Sequence, residues 1–172
     1  LQPSSDFPSE ITLGYKKLYD LRYGENPHQM AAFYSSALGP VGISGATQMH
    51  GKELSYNNIL DADAAWKAVS DFPNTSVAII KHTNTCGLAS HSNQTEAYRR
   101  AFAGDPVSAY GGIVAFNNTV TEETANEMSS IFYEIVLAPS FEPSALAILK
   151  KKRDLRILSL NKSTNIANAK EV

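Results

Sequence analysis

From Ser76 onward the sequence alternates short β-branched apolar runs with segments of helical spacing, and that rhythm confines the chain to few folds. Ser76–Lys81 (Ser-Val-Ala-Ile-Ile-Lys) reads as a buried strand. Gly112–Phe116, Ile135–Ala138 and Arg156–Leu160 read the same way, the third run ending at Pro139. Helices are predicted between them. One runs from a Thr95 cap to about Phe102 and stops at Gly104. The next opens on a Thr119/Glu122 capping box and places Ala125, Met128 and Phe132 on one face, and the last starts at Pro143 and runs through Lys150. Upstream, Asn57–Ser70 is a predicted helix capped by Ser55 or Asn58, with Ile59, Ala62, Trp66 and Val69 as its buried stripe. The alternation predicts βαβ units with right-handed crossovers: an α/β fold of three layers, a largely parallel sheet carrying helices on both faces. Such sheets bind ligands beyond the carboxyl ends of their strands. The loops after Lys81, Phe116, Ala138 and Leu160 are therefore the face to search.

The folded body is expected over residues 13–162, between a polar arm at 1–12 and a polar tail at 163–172. Residues 39–51, with four glycines and a proline, read as loop or irregular strand. Leu1 stands where a methionine would begin a gene product and no apolar stretch follows it, which fits a cut inside a longer chain rather than a secretory signal. At 172 residues, 43% hydrophobic and 19% charged, the chain has the composition of a globular domain, not of a disordered segment. No run approaches the ~20 apolar residues of a bilayer helix, and a net charge of −2 gives no basic footprint, so neither membrane nor nucleic acid is an expected partner. Cys86 is the single cysteine, which excludes a disulfide framework and a multi-cysteine zinc site and fits a reducing, cytoplasmic setting.

Chemistry-bearing residues gather in three stretches. After the first buried run the chain reads Lys81-His82-Thr83-Asn84-Thr85-Cys86-Gly87. Lys81 is either a partly desolvated amine or a side chain reaching solvent, and His82 is either a proton carrier near neutral pH or a cap on local backbone. Cys86 reads more readily as a small buried residue than as a nucleophile. The second stretch is Leu21-Arg22-Tyr23-Gly24-Glu25-Asn26-Pro27-His28-Gln29, where Arg22 offers a planar fork for phosphate or carboxylate, or pairs with a surface acid. The third, Gly104-Asp105-Pro106-Val107-Ser108-Ala109-Tyr110-Gly111-Gly112, is either a backbone cradle for a ligand or a tight helix-to-strand turn. Glu134 lies where a strand begins within an apolar run, as an edge residue or a group placed for a ligand. Neither GxxxxGK[ST] nor GxGxxG is present, and the histidines lack metal-ligand spacing.

Five stretches in order carry a resemblance: residues 21–29, 51–66 (Gly-Lys-Glu-Leu-Ser-Tyr-Asn-Asn-Ile-Leu-Asp-Ala-Asp-Ala-Ala-Trp), 81–87, 104–112 and Val-Leu-Ala-Pro at 136–139. Together they resemble the transformylase region of the AICAR transformylase/IMP cyclohydrolase family, over about Tyr19 to Leu160. The resemblance implies a phosphoribosylaminoimidazolecarboxamide formyltransferase, which passes the formyl group of its co-substrate 10-formyltetrahydrofolate to the 5-amino group of AICAR on the way to IMP. It implies Lys81 and His82 as the catalytic pair, with Arg22, Tyr23, Asn58, Val107, Tyr110, Gly111 and Glu134 as substrate contacts. It also implies the first of two cytidine-deaminase-like subdomains, a homodimer for the full-length protein, and no zinc, since the HxE and PCxxC signature of the deaminases is missing. Thr85 departs from the family, where proline commonly follows the asparagine. The alternative is a folded but inactive module, with partial nucleotide binding, that needs the second subdomain or a dimer partner.

Overall fold

Side chains alternate along a strand, so each apolar run from Ser76 onward must feed two cores at once. In the computed structural model, which describes residues 9–160, they do. The predicted tail at 163–172, and the polar arm up to residue 8, lie outside the described residues. Strands β1 (Tyr15–Leu21) and β2 (Ala31–Ser36) form an antiparallel hairpin of their own. A 3-10 turn at Gly42–Gly45 and the short β3 (Thr47–His50) precede α1 (Tyr56–Ser70). Next come β4 (Ser76–Lys81), β5 (Asn84–Ser90), α2 (Gln94–Gly104), the single turn α3 (Pro106–Ala109) and β6 (Ile113–Phe116). Finally α4 (Glu122–Met128), β7 (Ile135–Ala138), α5 (Pro143–Leu149) and β8 (Arg156–Ser159) alternate as the sequence predicts.

The main sheet has six strands in the order β3-β8-β7-β6-β4-β5. One face carries Val77, Ile79, Val114, Phe116, Val136, Ala138 and Ile157 against α2, α4 and α5, through Ala97, Tyr98, Ala101, Ala125, Met128, Ala145 and Leu149. The other carries Ala78, Ile80, Ile113, Ala115, Ile135, Leu137 and Leu158 against Ile59, Ala62, Ala65, Trp66 and Val69 of α1, with Leu21 and Phe33 of the hairpin packed beside them. The three-layer α/β class is thus the observed one. Its sheet is mixed rather than largely parallel: β6, β7 and β8 run parallel, whereas β4 is antiparallel to β6, β5 to β4 and β3 to β8. At the β4 side the cause is β5, which pairs with β4 through a two-residue turn and reverses the chain where the sequence suggests a loop; at the other edge β3 enters antiparallel on its own.

The α1 cap is one of the two expected, whereas the caps of α2 and α4 each stand two residues from expectation. Ser55 caps α1, and Asn58 returns a bond to the Ser55 amide, 3.2 Å in each direction. Asn93, not Thr95, caps α2, because its side chain reaches the Glu96 amide (2.8 Å) while Thr95 is buried against Thr124. Thr121 caps α4, and the Thr119 hydroxyl pairs with Ser140 instead. Among the described residues no helix is long and apolar enough to cross a membrane.

Candidate active site

Because β4 opposes β6–β8, the end of the sheet where β4 finishes is the end where the parallel strands start. Ile80, Ile113, Ile135 and Arg156 form one lateral row of backbone partners. Just beyond it lie Lys81, Gly112 and Glu134. Of the four loops singled out by the carboxyl-end rule, only the one after Lys81 belongs to this edge. Those after Phe116 and Ala138 open at the opposite end, and the chain beyond Leu160 lies outside the described residues. The rule assumes a parallel sheet, and the reversal at β5 removes that assumption.

Lys81 closes β4 half-buried, its Nζ donating to the carbonyl oxygen of Tyr110 at 2.8 Å. The ammonium is thereby moored to the 104–112 stretch instead of floating into solvent. His82 and Thr83 form the two-residue turn into β5, both with left-handed backbone, φ 52° and 58°. Such hairpin turns require positive φ at both positions and favour Asn, Asp or Gly there. Non-glycine residues in that region cost on the order of 1–3 kcal/mol each, and a β-branched Thr83 is the less tolerated of the two. Asp61 of α1, a residue without a role in the sequence reading, meets this strain: its carboxylate accepts from the His82 amide at 3.2 Å and the Thr83 amide at 2.7 Å. The His82 carbonyl accepts from Thr83 Oγ1 (2.7 Å) and Asn84 Nδ2 (2.8 Å). Cys86 stands behind the turn. Burial pushes its thiol up, the nearby Asp105 carboxylate adds to this, and Lys81 only partly offsets it, so it is a poor nucleophile at neutral pH.

The 104–112 stretch folds as a capped turn. Asp105 accepts from the Ser108 amide at 2.9 Å, and hydrogen bonds from Ser108 hold its carboxyl below the usual range. Gly111 sits at φ 75° and donates to the Phe132 carbonyl at 2.8 Å. The exposed Tyr110 ring leans on Phe132, with centroids 5.4 Å apart. Val107 stands 86% exposed.

Glu134 links this edge to a second cluster. Its amide donates to the Gly112 carbonyl at 2.9 Å, and its carboxylate pairs with Arg156 Nη1 at 2.7 Å. Arg156, whose side chain is only 12% exposed, also donates from Nε to the Glu53 carbonyl (2.9 Å). With Arg22, Tyr23, Lys52, Glu53, Leu54 and Ser55 it lines an open hollow of about 360 Å³. Arg22 lies over the Tyr23 ring, 5.2 Å from its centroid, and has no carboxylate partner within salt-bridge distance among the described residues. The loop bearing both is closed on itself by Gln29, which accepts from the amides of Gly24 (2.9 Å, through its carbonyl) and Asn26 (2.8 Å, through Oε1). Asn58 lies one turn into α1 from Ser55, its side-chain oxygen occupied by the cap.

The structure therefore brings Lys81, His82, Tyr110 and Gly111 to one corner and Arg22 and Tyr23 to a neighbouring one, with Glu134 between them. Arg156 is the site residue the sequence reading missed. A charged residue opening an otherwise apolar strand, complementary to Glu134 just before the neighbouring strand, was the available signal. Among the described residues no three His, Cys, Asp or Glu side chains gather so as to hold a metal ion.

The family of the AICARFT/IMPCHase bienzyme matches the chain over residues 1–172. The bifunctional purine biosynthesis protein of Dictyostelium discoideum is 53% identical over 163 residues, covering 93% of this chain and 30% of that protein. Its counterpart from Petrotoga mobilis is 48% identical over 94% of this chain and 32% of its own length. That of Thermoanaerobacter sp. is 52% identical over 90% and 30%. The chain thus spans about a third of the length of these curated relatives.

Proposed function

The chain belongs to the AICARFT/IMPCHase bienzyme family, and on that premise we propose that its Lys81–His82 corner takes part in formyl transfer from 10-formyltetrahydrofolate to the 5-amino group of AICAR. The observation that carries this reading is the convergence of distant stretches on one end of the sheet. Lys81 is moored to Tyr110, and Glu134 bridges from Gly112 to Arg156 beside Arg22.

In the proposed reaction the amine nitrogen of AICAR attacks the formyl carbon, a C–N bond forms, and the bond from that carbon to the folate nitrogen breaks. The amine gives up one proton and the folate nitrogen gains one. The amine is delocalised into its ring and is a poor nucleophile, so His82, at the exposed apex of the turn, is assigned to remove its proton. The Lys81 ammonium, fixed by the Tyr110 carbonyl, is assigned to the charge that grows on the formyl oxygen or to the departing nitrogen. Arg22, Lys52 and Arg156 around the hollow supply donors for the nucleotide phosphate, and Tyr23 supplies a ring surface. The rest of the acceleration comes from holding two large substrates in contact.

A second reading concerns the 172 residues alone: a folded module that binds part of the nucleotide and needs further chain, or a second copy, for turnover. It is supported by the openness of the hollow and by the third of its relatives' length that the chain covers. Calorimetric titration of AICAR into the wild-type chain and into Lys81→Ala/His82→Ala, followed by a formyl-transfer assay, separates the readings. We expect binding that weakens about tenfold or more in the variant, since each lost charged hydrogen bond is worth roughly 1.5–3 kcal/mol, with little or no turnover. Turnover by the chain alone retires the second reading. Absence of AICAR binding by a folded chain and of transfer by the full-length protein retires the first.

A further inference from the structure

We propose, on the basis of the formyl-transfer reading above, that Asp61 is a positioning residue: its carboxylate locks the His82–Thr83 turn in the left-handed backbone from which the His82 imidazole extends. Three observations carry this. The turn places two non-glycine residues, one of them β-branched, at φ 52° and 58°, where an unsupported chain relaxes to other conformers. Asp61 binds both turn amides, one through each carboxylate oxygen, and these bonds to an ionised acceptor are the strong kind. And the carboxylate has a firm base: Ile59 and Ala62, on either side of Asp61 in α1, are buried against the sheet. Asp63, two residues on, shows the contrast, since it pairs with Lys67 at 2.7 Å as ordinary surface acids do. Asp61 is in no ion pair among the described residues.

The turn's remaining hydrogen bonds, from Thr83 Oγ1 and Asn84 Nδ2, end on the His82 carbonyl. No hydrogen bond from a described residue reaches the imidazole ring. The ring's position is therefore set by the backbone beneath it, and the backbone by Asp61. A residue acting in this way changes kcat more than KM, because it aims a group that works on the reacting bond and leaves the nucleotide hollow untouched.

The test compares Asp61→Ala and Asp61→Asn, each with and without Thr83→Gly, in the full-length protein that carries this chain. Two readouts are taken: amide hydrogen exchange over residues 78–88, and formyl-transfer kinetics. Asp61→Ala is expected to speed exchange at the turn about tenfold. It is expected to lower kcat roughly 10- to 100-fold, with KM for AICAR within about threefold of wild type. Asp61→Asn keeps an acceptor for the Thr83 amide and should retain most of kcat. Thr83→Gly, which adopts positive φ freely, should restore about half or more of the logarithmic kcat loss in Asp61→Ala. Unchanged kcat in Asp61→Ala, or a folded Asp61→Ala/Thr83→Gly that recovers nothing, overturns the proposal. Wild-type protein without formyl transfer, in which Asp61→Ala still frees the turn amides, retires the transferase reading and keeps Asp61 as the anchor of the turn.

Discussion

At position 87 a single hydrogen in place of a side chain decides how close a helix can come to the sheet. A Cβ built on Gly87 would fall 1.8 Å from the Ala101 carbonyl oxygen, and one on Gly104 would fall 2.8 Å from the Cys86 carbonyl oxygen. Helix α2 therefore rests on β5 backbone to backbone, which keeps β5 paired with β4 and the turn between them in place. Gly87→Ala has no flexible neighbour to displace. It is expected to destabilise the fold by about 3 kcal/mol or more, beyond the usual overpacking range; chemical denaturation with an unchanged m-value would report it, and a loss below about 1 kcal/mol would show that α2 can retreat.

Among the elements, the four apolar strands and the three longer helices that separate them were legible, because burial on both faces of a sheet demands continuous β-branched runs and helices demand a stripe. Strand β5 was not. Asn-Thr-Cys-Gly-Leu-Ala-Ser has neither alternation nor bulk, and it is held by Gly87 packing and by a turn built from His82 and Thr83 in place of the Asn-Gly that would announce a hairpin. One missed reversal then moved the expected ligand face. Lys81, His82, Arg22 and Glu134 stood out as charges in odd places, but Arg156 and Asp61 acquire meaning only from the register and the packing of α1. The Glu134–Arg156 pair ties β7 to β8 at the site edge. Glu134 is two-fifths exposed, so solvent screens it, and Arg156→Met is expected to cost about 1–3 kcal/mol rather than the larger figure for a sealed pair. On the proposed function AICAR affinity should fall with it, and a calorimetric Kd equal to wild type would remove Arg156 from the proposed nucleotide contacts.

For the whole molecule, apolar surface is unevenly spread. Ile11, Leu13, Tyr15, Tyr34, Leu38 and Val41 are all exposed, and most line one open hollow of about 640 Å³ between the β1–β2 hairpin and α1. Apolar area of that kind on a small domain favours association. The 172-residue chain is expected to sediment with a mass that rises with concentration in the micromolar range, and Leu13→Glu/Tyr34→Lys should return it to a monomer. A wild-type chain that stays monomeric at 100-fold higher concentration would show that the polar residues between these side chains suffice to keep it apart.

The pairing of β3 with β8 joins Thr47 to Ser159 across most of the described chain. During synthesis, residues 47–50 leave the ribosome long before residues 156–159 exist, and at about 5–20 residues per second they wait for several seconds without a neighbour. Strands β4 and β5, whose paired residues lie from 3 (Lys81 with Asn84) to 14 (Ser76 with Ser90) positions apart, can zip at once on microsecond timescales. The nascent chain thus builds its sheet from the Lys81–His82 corner outward and seals the far edge last. Until then an unpaired Thr-Gln-Met-His segment and the growing edge of β8 are the places where a chaperone, or a neighbouring nascent chain, would first take hold.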